Sequence, residues 1–175
     1  MFYLSEVWNL LQYKRKKQFI LIFFLMLLTS VFDIFTIGAI IPFLTALLNI
    51  DDLLSFFIVK EIYQILGLNS KVQLIILITL IFISLAVLTG VLRILLLQSM
   101  IKYAYNVGAD LSINIYKKTL LQKYEVHLNR NSSEILNSII TKTTLVTGGI
   151  LMPLLTLLSS SIFMIFILVT LLFIN

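Results

Sequence analysis

Few side chains in this sequence could carry out catalysis or hold a metal ion. The sequence contains one histidine, eight carboxylates and no cysteine. The lack of cysteine excludes disulfides, iron–sulfur clusters, thiolate zinc sites and thiol nucleophiles. His127 has no second histidine and no cysteine with which to complete a metal or catalytic site. We therefore expect no catalytic, metal-binding or cofactor-binding residues in this sequence.

Two charged residues, Asp33 and Arg93, lie inside long apolar stretches. A carboxylate in such a helix is costly and usually faces a cavity or a partner. Asp33 lies roughly 22 Å along a helix from Gln18, and Arg93 lies about 31 Å from Val72. Asp33 fits either a polar contact for a ligand headgroup or a structural pair with a hydroxyl or cation of another helix. Arg93 fits an anchor that reaches interfacial water, or a site for an anionic lipid phosphate.

A polar stretch, YEVHLNRNSSEILNSI at residues 124–139, precedes the last apolar run. Ser132 or Ser133 is a suitable helix cap, and apolar residues recur after it at helical spacing. The pattern predicts a helix that begins near Glu134. The simplest interpretation of the residues before it is a solvated turn between two helices.

The elements that carry these residues are long and apolar. The mean hydropathy is +1.08 and only 12% of the residues are charged, which is typical of membrane proteins. A net charge of +5 would indicate nucleic-acid binding in a soluble protein. Here we expect no nucleic-acid partner, because the lysines and arginines of membrane-protein loops set orientation in the bilayer.

The apolar runs predict an all-α integral membrane protein with three transmembrane helices. An amino-terminal interfacial elbow helix precedes them, and the second helix continues into a long cytoplasmic helical hairpin. No proline interrupts residues 98–123, so we expect this extension to reach about 38 Å beyond the span. Pro42 predicts a kink in the first span. The predicted segments are 1–17 (elbow helix), 18–48 (first span), 49–71 (outer loop), 72–97 (second span), 98–144 (intracellular helical extension and coupling segment) and 145–174 (third span).

The distribution of cations predicts the orientation. Four consecutive cations occupy residues 14–17, and the segment 98–144 holds six cations against three anions. The loop 49–71 holds two cations and three anions. By the positive-inside rule, the amino terminus and the segment 98–144 are cytoplasmic. We expect a multi-pass protein of the cell (cytoplasmic or inner) membrane.

This organisation resembles the amino-terminal half of the transmembrane domain of ABC exporters, the type-1 exporter fold. The stretch LLQKYEVHLNRNSSEILNSIITKTTLV (120–146) is similar to the first intracellular loop of that family. The stretch DIFTIGAIIPF (33–43) is similar to the subgroup that moves lipid-linked oligosaccharides and polysaccharide precursors. The resemblance covers nearly the whole chain.

The resemblance implies roles for several residues. A short coupling helix at the hairpin tip would fit a groove on a nucleotide-binding domain and transmit its closure. Asp33 and Arg93 would contribute to the translocation pathway. The coupling helix would comprise Tyr124, Glu125, Val126, His127, Leu128, Asn129, Arg130 and Asn131.

The sequence departs from the family in one respect. It contains no G-x-x-x-x-G-K-[ST] phosphate loop, so we expect no ATPase activity from this chain by that mechanism. The resemblance implies that a partner nucleotide-binding domain supplies ATP and Mg²⁺ binding, and that a second transporter half completes a dimer in membrane lipid. The chain would then be a fragment, a truncated product or part of a split transporter. The alternative is a small three-span accessory or scaffolding membrane protein without transport activity.

Overall fold

The computed structural model describes residues 13–49, 71–122 and 132–174. These parts of the chain are helical, and none of them forms a strand. Helix α1 is Tyr13–Leu48, α2 is Lys71–Leu120, α3 is Ser132–Val146, and α4 is Met152–Ile174. A π-helical turn, Thr147–Leu151, joins α3 to α4.

Three helical stretches are long and apolar enough to cross a membrane. They are Tyr13–Leu48, Lys71–Leu120 and Ser133–Phe173. Most of their large apolar side chains are exposed on the protein surface, as expected of helices whose outer faces meet lipid. The predicted all-α class with three membrane-crossing helices is confirmed, and the chain is a multi-pass membrane protein.

The helices begin and end at other residues than the sequence predicts. Residues 13–17, assigned to the elbow, are continuous with the first apolar helix, because no glycine or proline separates them from it. The other elbow residues, 1–12, lie outside the described residues. Lys71, assigned to the outer loop, is the first residue of α2, and residues 50–70 of that loop also lie outside them.

The chain divides into two compact units. The first contains α1 up to Met26, α2 from Leu96, then α3, the π-helical turn and α4 up to Met164. In this unit α1 and α2 are antiparallel, since Arg15 contacts Asp110. Phe19 contacts Tyr103, with ring centroids 6.0 Å apart. The hydrophobic core of this unit includes Ile22, Met26, Met100, Tyr103, Ala104, Leu155 and Ile162.

In the first unit, α2 residues that the sequence assigns to the intracellular extension lie beside the start of the apolar run of α1. One cleft is lined by residues from both helices, namely Ser99, Lys102, Tyr103 and Asn106 of α2 and Gln18, Leu21 and Ile22 at the start of the apolar run of α1. The polar side chains after Leu97 therefore lie at the depth of apolar α1 residues. Beyond the Arg15–Asp110 contact, α2 continues for about ten residues to Leu120, or about 15 Å.

Helices α2 and α3 form an antiparallel hairpin in the first unit. Gly108 faces Thr143 and Thr147, while Ile115 and Thr119 line a groove together with Ile135 and other residues of α3. Residues 123–131, which connect the two helices, lie outside the described residues. Helix α2 thus ends, and α3 begins, next to the segment in which the sequence predicts a coupling helix.

The second unit contains α1 from Leu27, α2 up to Leu95 and the end of α4. Here too α1 and α2 are antiparallel, because the contacts of Asp33, Thr36 and Phe43 descend along α2. Phe43 stacks on Phe82, with ring centroids 4.6 Å apart and planes 9° apart. Aromatic pairs prefer particular ring geometries and stabilise a contact by about 0.5–1.5 kcal/mol beyond their buried area.

The two prolines have different local surroundings. Pro42 lies inside α1, which continues to Leu48. Pro153 lies at the start of α4, immediately after the π-helical turn. A proline has no amide N–H, and its ring clashes with the carbonyl four residues earlier. That carbonyl belongs to a glycine in both cases, Gly38 and Gly149.

Candidate functional site

A polar layer lies between α1 and α2 in the second unit. We define it as Asp33 and Thr36 on α1 with Thr89 and Arg93 on α2. Spacings of three and four residues place each pair on one helix face. The layer is embedded in apolar sequence on both helices, where polar groups need partners.

The charged half of the layer is an ion pair. One terminal nitrogen of Arg93 donates a hydrogen bond to Oδ2 of Asp33 at 3.4 Å. The two side chains differ in exposure, since Asp33 is 15% exposed and Arg93 is 69% exposed. Arg93 makes no other hydrogen bond within the described parts of the chain. Most of its five N–H donors are therefore directed away from the contact between the helices.

The neutral half of the layer is a pair of hydroxyls. Oγ1 of Thr36 and Oγ1 of Thr89 lie 2.7 Å apart. Each hydroxyl also lies within hydrogen-bond distance of the carbonyl four residues earlier in its own helix, Phe32 for Thr36 and Leu85 for Thr89. Because each hydroxyl has one proton, one threonine donates to the other, which donates to its own carbonyl. A hydrogen bond between side chains of adjacent membrane helices stabilises their contact by about 0.6 kcal/mol on average. Within the described residues, no buried side-chain nitrogen or oxygen lacks a partner.

The structure brings together two residues that the sequence treats separately. The sequence predicts Asp33 deep in the first span and Arg93 near the inner interface, because each depth is counted from its own helix end. The structure pairs them, so they lie at one depth. This contact agrees with the structural-pair interpretation of Asp33, while the exposed face of Arg93 remains available to an anionic group.

Sequence reasoning missed the two threonines. The sequence contains a pattern that could have indicated them. Thr36 lies three positions from Asp33, and Thr89 lies four positions from Arg93, each inside an apolar helix. Hydroxyls are common in membrane helices because they can bond their own backbone. That pattern does not distinguish a threonine that contacts another helix from one that contacts only its own.

A second ion pair, in the first unit, joins the basic start of α1 to α2. Nε of Arg15 donates to Oδ2 of Asp110 at 2.6 Å, and a terminal nitrogen donates to Oδ1 at 3.1 Å. The other terminal nitrogen donates to Oε1 of Gln18 at 2.8 Å. Both charged groups lie outside the apolar runs. The hydrogen bond from Arg15 lowers the pKa of Asp110, and the charge of Lys14 adds to this effect.

The predicted coupling helix lies outside the described residues. This applies to Tyr124, Glu125, Val126, His127, Leu128, Asn129, Arg130 and Asn131. The helix expected near Glu134 begins at Ser132.

Within the polar layer, the exposed N–H groups of Arg93 are the donors accessible to an anion. Within residues 13–49, 71–122 and 132–174, no three histidine or carboxylate side chains are grouped as a metal site requires.

Comparisons with protein-family models, with curated proteins and with solved structures found no match.

Proposed function

We propose that this chain is the membrane-spanning part of an ATP-driven ABC exporter or flippase for a lipid-linked or amphiphilic substrate. ATP and Mg²⁺ would bind a partner nucleotide-binding domain, and a second transporter half would complete a dimer. The basic start of α1 and the α2–α3 hairpin would face the cytoplasm, in keeping with the positive-inside rule.

The observation that carries this proposal is the α2–α3 hairpin. Helix α2 is a single helix of 50 residues, which is about 75 Å long at 1.5 Å per residue. A membrane requires only about 20 residues of helix, so part of α2 would project beyond the bilayer, including the stretch of about 15 Å from Asp110 to Leu120. Helix α3 returns antiparallel to α2, so the projection would be a pair of packed helices. Such a pair would transmit the movement of a partner domain to the membrane helices.

The polar layer supports the choice of substrate class. Arg93 is mostly exposed and holds Asp33 with one long hydrogen bond. An anionic headgroup could therefore bind the guanidinium without first breaking a strong pair. A charge at this position in a membrane helix usually marks a substrate pathway or a structural pair, and this geometry serves both.

A cysteine crosslink tests the proposed contact with a nucleotide-binding domain. The chain has no native cysteine, so His127→Cys introduces a single thiol at the predicted coupling helix. In membranes that contain the active assembly, a bifunctional thiol reagent should link this position to a nucleotide-binding subunit. The link should depend on nucleotide, because closure of that domain would move the hairpin.

Thr144→Cys provides the matched control. Thr144 is exposed on α3 but lies three turns from the start of that helix, so it should not form the link. A crosslink at both positions would indicate collision rather than docking. Absence of any crosslink at His127→Cys in an active assembly would contradict the proposal and favour an accessory or scaffolding protein. ATP hydrolysis by the purified chain alone would contradict it as well.

A further inference from the structure

The first unit contains a cleft between α1 and α2 that the proposed transport role does not use. It has a volume of about 320 Å³ and is lined by Gln18, Leu21, Ile22, Ser99, Lys102, Tyr103 and Asn106. Its position is defined by the basic start of α1, since Gln18 directly follows four cations. The cleft therefore lies where the apolar run of α1 begins.

The surroundings of the cleft are strongly cationic. Residues 14–17 contribute four cations and Lys102 a fifth, while Asp110 is the carboxylate that neutralises Arg15. Lys14 lies one turn before Gln18 on the same face of α1. Lys102 is exposed and makes no ion pair with any residue that the structure describes. Lys14 and Lys102 thus place positive charge on both of the helices that form the cleft.

The lining combines two chemistries. Gln18, Ser99 and Asn106 provide polar groups that can bond phosphate or glycerol oxygens. Leu21 and Ile22 provide an apolar wall. On the same helix, Leu21 and Phe24 are 66% and 67% exposed, and they continue the apolar surface away from the cations. An occupant that matches this arrangement has an anionic head and apolar tails.

We propose that this cleft binds an anionic phospholipid, with its phosphate between Lys102 and the basic start of α1 and its acyl chains along Leu21 and Phe24. Basic pockets between membrane helices bind such headgroups. The Arg15–Asp110 pair would hold the two walls of the site together. The inference does not depend on the proposed transport function, because it uses only the first unit.

The test compares binding of phosphatidylglycerol and phosphatidylcholine to the purified chain by native mass spectrometry in detergent. The wild-type chain should retain phosphatidylglycerol in preference. A lysine near an anionic lipid surface contributes enough that Lys102→Gln should weaken phosphatidylglycerol binding about fivefold. Lys142→Gln is the matched control, because Lys142 lines a different groove on α3, and it should leave binding unchanged.

Two further arms make the result decisive. Melting of Lys102→Gln in phosphatidylcholine alone should match the wild type, which shows that the variant folds. Inorganic phosphate should not raise the melting temperature as phosphatidylglycerol does. The proposal is overturned by equal binding of the two lipids, by unchanged phosphatidylglycerol binding in Lys102→Gln, or by equal loss in Lys142→Gln. Protection by inorganic phosphate alone would assign the cleft to a free anion and would also overturn it.

Discussion

Gly108 lies at a close contact between α2 and the π-helical turn. A Cβ atom built at this position would overlap Oγ1 of Thr147, whereas Cγ2 of Thr143 and Cβ of Thr147 would each lie 3.5 Å away. The last two distances are ordinary van der Waals contacts. Thr147 is only 2% exposed, so its hydroxyl has little room to move. The clash in Gly108→Ala therefore depends on a single atom.

Two opposing effects determine the stability of Gly108→Ala. Alanine stabilises a helix interior by about 1 kcal/mol relative to glycine. Overpacking a close contact costs roughly 1–3 kcal/mol. We expect a net loss of about 1 kcal/mol in the free energy of unfolding, measured by far-UV circular dichroism during denaturation in detergent micelles. In a Thr147→Ala background the clash is absent, so the same substitution should become stabilising by about 1 kcal/mol.

Gly90→Ala provides the control on the same helix. Nothing lies within 4 Å of a Cβ atom built at Gly90, so this substitution should be neutral or stabilising. The reasoning is refuted if Gly108→Ala is as stable as Gly90→Ala. It is also refuted if the loss at Gly108 persists after Thr147 is replaced by alanine, because the overlap would then not be its cause.

Three further predictions concern the contacts between α1 and α2. Since Arg15 lowers the folded-state pKa of Asp110, the pair stabilises the fold above the unfolded pKa of about 3.9, and this contribution is lost as the pH falls through the lowered value. Unfolding midpoints at pH 6 and pH 3 should therefore differ less in Asp110→Asn than in the wild type. Arg93→Gln should cost more, roughly 1–3 kcal/mol, than Asp33→Asn, because it leaves a mostly buried carboxylate without its cation. Equal losses in chemical denaturation would contradict this asymmetry. Phe43→Leu should lower stability by roughly 0.5–1.5 kcal/mol beyond the lost apolar area, and an unchanged midpoint would show that the stacked pair contributes nothing.

The helical class and the number of membrane-crossing helices could be predicted, because they depend on local properties. Apolar length and the lack of proline between residues 98 and 123 are sufficient to predict a long α2. The depth of Arg93 could not be predicted in this way. It depends on how far α2 slides along α1 and how each helix rotates, and ring pairs such as Phe43–Phe82 contribute to both. These are contacts between distant residues that apolar periodicity does not encode.

The candidate site was predicted only in part for the same reason. Asp33 and Arg93 are conspicuous in apolar sequence, but Thr36 and Thr89 are not. Burying a threonine in a membrane helix costs little free energy, because its hydroxyl can bond the backbone of its own helix. The predicted coupling residues, Tyr124–Asn131, lie outside the described residues, so that assignment stays a prediction.

The π-helical turn keeps the helices on either side of it in phase. In an α-helix, the eight steps from Thr147 to Leu155 would advance about 800°, which turns Leu155 about 80° away from the direction of Thr147. Both residues are nevertheless buried, at 2% and 5% exposure. Wider π-helical turns advance less per residue, so Leu155 returns towards the same side. The π-helical turn thus accommodates one residue more than an α-helix would hold over the same rotation. Deleting Gly148 should shorten it to an α-helix and preserve the buried stripe, whereas a one-residue deletion at Leu157 should rotate every later side chain by about 100°.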